Sequence, residues 1–327
     1  MPSSIRGFGM SEDGEGRDFA TEEAEAVAQS ALAGEVLTEI ELEPVGKPAS
    51  LWGDAWKELR TSPMFIISAL LILVFIVMAI TPSLFTDADP RACNLRNSLE
   101  RPSAGHWFGF DLQGCDYYAR TVYGAQVSIS IGIIVTVFAV IIAVILGSLA
   151  GYYGRFLDTI IARITDIWFA IPTILGGIVI LSLLQERGLW QVSLVLIVLG
   201  WPTMLRLLRS AVLSAKEQEY VDAARALGAS DFRIITRHIL PNAIAPVIVY
   251  ATITVGVIIS AEAALSFLGV GLQLPAISWG LMISVAQTRI LQSPHLLLFP
   301  GAFLSLTVFS FILMGDALRD ALDPKLR

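Results

Sequence analysis

The stretch EYVDAARALGASDFRIITRHILP, residues 219–241, is a polar, arginine-bearing island in a chain that is otherwise largely apolar. From Lys216 to Leu227 it is built of good helix formers, among them Glu217, Glu219, Ala223, Ala224 and Arg225. Gly228 follows where that helix should end, because glycine tolerates the left-handed turn of a helix C-terminus. Ser230 is placed to cap a second helix whose apolar side would be Phe232, Ile235 and Ile239. Pro241 then interrupts the helix ahead of the next apolar segment. The pattern predicts two short helices with a glycine joint. Ala223 and Ala224 are small enough to let another protein approach the backbone, and Glu219, Asp222 and Arg225 can make directional contacts around them, with Leu227 closing the first helix.

The surrounding chain has 327 residues, of which 55% are apolar and 16% charged. A soluble core of this size cannot hide so much apolar surface, so a polytopic membrane protein is expected. Six segments are long enough to cross about 30 Å of hydrocarbon: Met64–Thr81, Val127–Gly151, Ile160–Leu184, Trp190–Leu208, Ala243–Leu268 and His295–Gly315. In lipid each backbone amide needs an internal partner, so these are read as helices and the fold as all-α. The organisation expected is a tail over residues 1–50, an elbow helix, first span and outer loop over 51–126, and a core over 127–327 with the polar loop at 214–241.

The net charge of −7 belongs to the tail, which carries eleven acids against three bases. Its composition reads as disordered, and it lacks the basic start and apolar centre of a signal peptide. Beyond it, Lys and Arg concentrate on one side of the predicted spans. Thirteen lie on the flanks that share a side with the amino terminus, and six lie opposite. By the positive-inside rule both termini and the 219–241 island lie in the cytoplasm. Trp52, Trp56 and Leu59 share one face of a short helix before Pro63, which suits an interfacial elbow.

Cys93 and Cys115 fall in the first outer loop, on the oxidising side, where a disulfide persists. Closing that loop would restrict the unfolded chain by about 3 kcal/mol. Two intramembrane acids, Asp166 and Glu262, are candidates for lining a polar path through the membrane or for packing. Asp166 has Arg163 or Arg206 as possible partners. His106, His238 and His295 are scattered, with no metal-ligand spacing and no catalytic pattern. No Gly-x-x-x-x-Gly-Lys-Ser/Thr phosphate loop surrounds any of the four lysines.

The island's order of Asp222-Ala223-Ala224, Gly228 and Leu240-Pro241 resembles the coupling loop of ABC-importer permeases. Further blocks extend the resemblance from Trp52 to the end. These are His106-Trp107-Phe108-Gly109-Phe110-Asp111 with Gly114-Cys115-Asp116, then Glu262-Ala263-Ala264-Leu265-Ser266-Phe267-Leu268-Gly269, and the terminus Gly315-Asp316-Ala317-Leu318-Arg319-Asp320. The chain resembles the C-type permease subunit of the dipeptide, oligopeptide and nickel ABC importers. Phe110 and Cys115 depart from the family's usual Thr and Arg.

The resemblance implies a type I importer fold with cytoplasmic coupling helices, and a non-catalytic subunit moved by ATP hydrolysis elsewhere. It implies a homologous B-type permease, two ATPase domains that bind ATP and Mg, and an extracytoplasmic substrate-binding protein. This chain itself would bind membrane lipid and neither cofactor, metal nor nucleic acid. On this reading Glu219, Asp222, Ala223, Ala224, Arg225, Leu227 and Gly228 receive the ATPase stroke. The competing expectation is an ion-driven transporter acting alone, which would use the intramembrane carboxylates. Peptide is favoured over nickel as cargo.

Overall fold

The computed structural model describes residues 51–322; the expected tail lies outside them, as do residues 323–327. The described chain is helical with no sheet. A short α1 (Leu51–Leu59) precedes α2 (Pro63–Ile80), and the long α3 (Tyr117–Tyr153) follows an irregular loop. A bent pair comes next, α4 (Arg155–Phe169) and α5 (Thr173–Ser182), then α6 (Leu189–Lys216). The polar island holds α7 (Glu219–Ala226) and α8, a helical run over residues 231–243. The chain closes with α9 (Ala245–Phe267), the short α10 (Trp279–Ala286) and α11 (His295–Leu322).

Helices α2, α3, α6, α9 and α11 are each long and apolar enough to cross a membrane, and the α4–α5 pair is the sixth candidate span. That pair corrects the continuous Ile160–Leu184 helix: its halves meet at 79°. The break centres on Pro172, which lies in extended backbone (ψ 120°) just ahead of α5. Proline disfavours helical geometry in the residue before it, here Ile171, so α4 ends first. Pro202 and Pro300, by contrast, sit inside unbroken helices α6 and α11.

The second span also starts earlier than expected. The carboxylate of Asp116 accepts the Ala119 N–H at 2.8 Å and caps α3 ten residues before Val127. Within α3, Ala143–Gly147 widens to π-helical turns. Gly151 then faces α6 so closely that a Cβ there would stand 2.7 Å from Val212 Cγ1. The small residue therefore sets the approach of two spans.

Helix α1 packs Ala55 and Leu59 against Ala317 and Ala321 of α11. The expected apolar face of the elbow is accordingly rotated: Trp56 is exposed, with its ring edge-on to Phe65. The side chain of Trp52 lies outside the description. Between α2 and α3, Cys93 and Cys115 are joined by a disulfide. Asp111 accepts the N–H groups of Gln113 and Cys115 at 2.8 and 2.9 Å and pairs with Arg120. Phe108 stacks on Phe299 at 3.7 Å, which seats this loop on α11.

Candidate functional site

The polar island is built around a helix with two unlike faces. The chain turns at Glu217 and Gln218, so the expected helix from Lys216 to Leu227 is two helices, the end of α6 and α7. On α7, Val221 and Ala224 point inward, one turn apart, and are buried with Leu208 and Val212 of α6 and with Ile234 and Ile239 of α8. Glu219, Asp222, Ala223, Arg225 and Leu227 are exposed, Leu227 at 88% of its surface. This corrects the reading of Ala224 as a contact for another protein. At 7% exposure it is small because α7 lies tight on its own core, whereas Ala223 presents its small side chain outward.

The end of α7 forms a Schellman turn. Gly228 N–H donates to Arg225 O at 3.0 Å, and Ala229 N–H donates to Ala224 O at 3.1 Å. Gly228 sits at φ +79° with open space around it, so the backbone conformation alone selects glycine. Arg225 and Asp222 pair at 2.9 Å on the exposed face. Such exposed pairs are worth about 0.2–1 kcal/mol and shape a surface more than they stabilise it.

Helix α8 departs from its expected pattern. Ser230 precedes it in extended backbone but makes no side-chain cap. Ile234–Ile239 is π-helical, and i to i+5 spacing brings Ile234 and Ile239 to one side, where both are fully buried. Phe232, read as core from 3.6-residue periodicity, is exposed, and Ile235 is half-buried. Pro241 lies in the first turn of the closing helical segment Leu240–Ala243 and does not stop the chain.

Polar contacts lock this segment to the spans. Tyr152 donates its hydroxyl to Asp231 at 2.6 Å, and Lys216 Nζ donates to Tyr152 O at 2.9 Å. Nearby, Arg209 of α6 holds Asp158 of α4 with two hydrogen bonds. Asp166 pairs with Arg206, and with Arg163 at 3.7 Å. Arg206 also lies 4.0 Å over the Phe169 ring. Asp166 is therefore a half-exposed ion-pair residue tying α4 to α6.

Glu262 lies far from the island and is fully buried within this chain. Its Oε1 accepts from Ser266 (2.8 Å) and Ser278 (3.1 Å), and its Oε2 from Ser128 (3.4 Å). Each serine oxygen in turn accepts a backbone N–H: Leu272 on Ser266, Leu281 on Ser278 and Trp279 on Ser128. One carboxylate thus fastens α3, α9 and the start of α10 together. Gly280 permits the contact, since a Cβ there would stand 2.5 Å from Ala263 Cα. Trp279, also fully buried, donates its indole N–H to Thr121 O at 2.8 Å. Glu262 is thus buried within this chain and hydrogen-bonded by three serines. Sequence reasoning missed Ser128, Ser266, Ser278 and α10, whose eight residues are too few to register as a span. The one available signal was Ser266, one turn beyond Glu262.

The sequence matches the family described as "Binding-protein-dependent transport system inner membrane component" over residues 143–327. It matches "N-terminal TM domain of oligopeptide transport permease C" over residues 50–102. It is 42% identical over 278 residues to the dipeptide transport system permease protein DppC of Alkalihalophilus pseudofirmus, covering 85% of this chain and 91% of that protein. It is 41% identical over 281 residues to the oligopeptide transport system permease protein OppC of Bacillus subtilis, covering 86% and 92%. It is 38% identical over 295 residues to the glutathione transport system permease protein GsiD of Escherichia coli, covering 87% and 95%. A structure of the MetNI methionine ABC transporter in inward-facing conformations aligns with a TM-score of 0.52 at 21% identity, covering 62% of this chain and 96% of that one. This likeness agrees with the type I importer fold. The chain, a multi-pass and non-catalytic transport subunit, belongs to the binding-protein-dependent inner membrane component family of ABC importer permeases.

Proposed function

We propose that this chain is half of the translocation path of an ATP-driven peptide importer and that α7 takes the stroke. The observation that carries the reading is the two-faced α7. Its inward face, Val221 and Ala224, is packed into the core shared by α6, α8 and the start of α9. Its outward face, Glu219, Asp222, Ala223, Arg225 and Leu227, is left for a partner. A push on the outward face has little slack to absorb it, because close-packed interiors transmit displacement. The motion passes into α6 and α9, and the spans change which side of the membrane they open to.

The partners of this mechanism are a homologous permease, two ATPase domains that bind ATP and Mg, and an extracytoplasmic receptor that delivers cargo. This chain then needs no cofactor of its own. The lysine and arginine distribution supports cytoplasmic placement of both termini and of α7. Peptide cargo is supported by the dipeptide, oligopeptide and glutathione transport named for the relatives. An ion-driven mechanism loses its motive, since Glu262 is sealed by serines and Asp166 is paired.

The test is to reconstitute the complete importer with Asp222→Lys or Gly228→Pro in this chain. Both variants should insert and assemble while ATP hydrolysis continues without peptide uptake. Normal uptake by both would overturn the reading.

A further inference from the structure

Between α2 and the disulfide, Asp87, Asp89 and Arg91 lie within five residues and are all exposed. All three line one cavity of about 440 Å³, which is walled also by Tyr123 and Gln126 of α3 and by Ile277. That volume is within the roughly 300–1,000 Å³ range of small-molecule sites. Four carboxylates elsewhere among the described residues do pair with guanidiniums: Asp158 with Arg209, Asp166 with Arg206, Asp111 with Arg120, Asp222 with Arg225. Among the described residues this trio has no such ion pair. Asp89 instead accepts the backbone N–H of Arg91 at 2.9 Å, which fixes the turn and leaves the guanidinium unengaged by it.

A second cavity of about 300 Å³ shares Pro90, Arg91 and Ile277 with the first and reaches Gln113 and Arg120. Those two residues also border a third cavity of about 240 Å³, lined mainly by apolar side chains including Leu281 and Met282. The three together make a trough with charges of both signs at one end and an apolar recess at the other. They lie on the face of the bundle opposite α7, because the segment follows the first span and α7 the fourth.

We propose that this trough receives a short peptide by its free termini. The ammonium group meets Asp87 and Asp89, the carboxylate meets Arg91, and a side chain enters the apolar recess. Tyr123 and Gln126 offer hydrogen bonds to the peptide amides. The inference rests on the peptide reading above and adds the chemistry that recognises the cargo within the permease.

The experiment uses the complete importer in proteoliposomes with saturating receptor. The cargo is a tripeptide that the receptor binds in three forms: free, C-terminally amidated and N-acetylated. Arg91→Gln should raise the KM for the free tripeptide about two- to fivefold, the size of an exposed ion pair, and leave the amide unchanged. The double variant Asp87→Asn/Asp89→Asn should do the same for the free tripeptide and leave the N-acetylated form unchanged. Equal losses for free and blocked peptides with weaker receptor stimulation would make this a receptor-docking surface and overturn the proposal. Identical kinetics in all variants would overturn it too, while leaving the peptide reading standing. No uptake of any form by the unaltered importer would overturn both.

Discussion

Ser266 donates its hydroxyl to Glu262 at 2.8 Å from one helical turn away, and the same oxygen accepts the N–H of Leu272 at 3.2 Å. The pair therefore holds both α9 and the turn that leaves it. Ser128 and Ser278 repeat the arrangement from α3 and from the start of α10, so three backbone amides are relayed onto one carboxylate. The cluster is a clasp on one half of the bundle, and its cost and benefit can be measured.

Glu262→Leu removes the common acceptor and leaves three buried hydroxyls without it. Hydrogen bonds between membrane helices average about 0.6 kcal/mol, so the loss is roughly 2 kcal/mol. Glu262→Gln keeps an acceptor oxygen and should lose less. Thermal unfolding of the purified subunit in detergent checks the order: native, then glutamine, then leucine.

The two alanines of α7 should respond in opposite ways. Ala223→Trp adds bulk to an exposed face, so expression and melting temperature should stay near normal while association with the ATPase subunit is lost. Ala224→Trp forces an indole into a close-packed core, where overpacking costs about 1–3 kcal/mol or more. Melting temperature and ATPase co-purification, measured on both variants, separate the faces.

Gly151→Leu places side-chain atoms where Val212 already stands. The same overpacking range of about 1–3 kcal/mol applies, read as a lower melting temperature. Val212→Ala combined with it should recover part of the loss, since the clash is with that side chain.

How much of this could be read beforehand depends on the range of the interactions. Apolar runs announce spans because lipid imposes one rule on every residue in them, and five of the six expected spans fall on single long helices. The Gly228 turn was legible because a left-handed C-cap has a local signature. The bend at Pro172 was not, since Pro202 and Pro300 are tolerated in intact helices. The register of α8 was hidden by its π-helical turns, which replace the spacing that made Phe232 look like core. The partners of Glu262 were out of reach because Ser128 is 134 residues away in the chain and meets it only after folding. Ala224 was misassigned for a similar reason: small size marks close approach, but not from which side.

The most direct test of the central claim, that α7 is gripped by a motor subunit, uses Leu227→Cys in the assembled importer. Both native cysteines of this chain are held in the Cys93–Cys115 disulfide, so the new thiol is the chain's one reactive position. The account predicts cross-linking of residue 227 to the ATPase subunit, with an efficiency that changes between nucleotide-free and ATP-bound states. Free labelling of the thiol by a water-soluble maleimide in every state, with no cross-link to the ATPase, would contradict it.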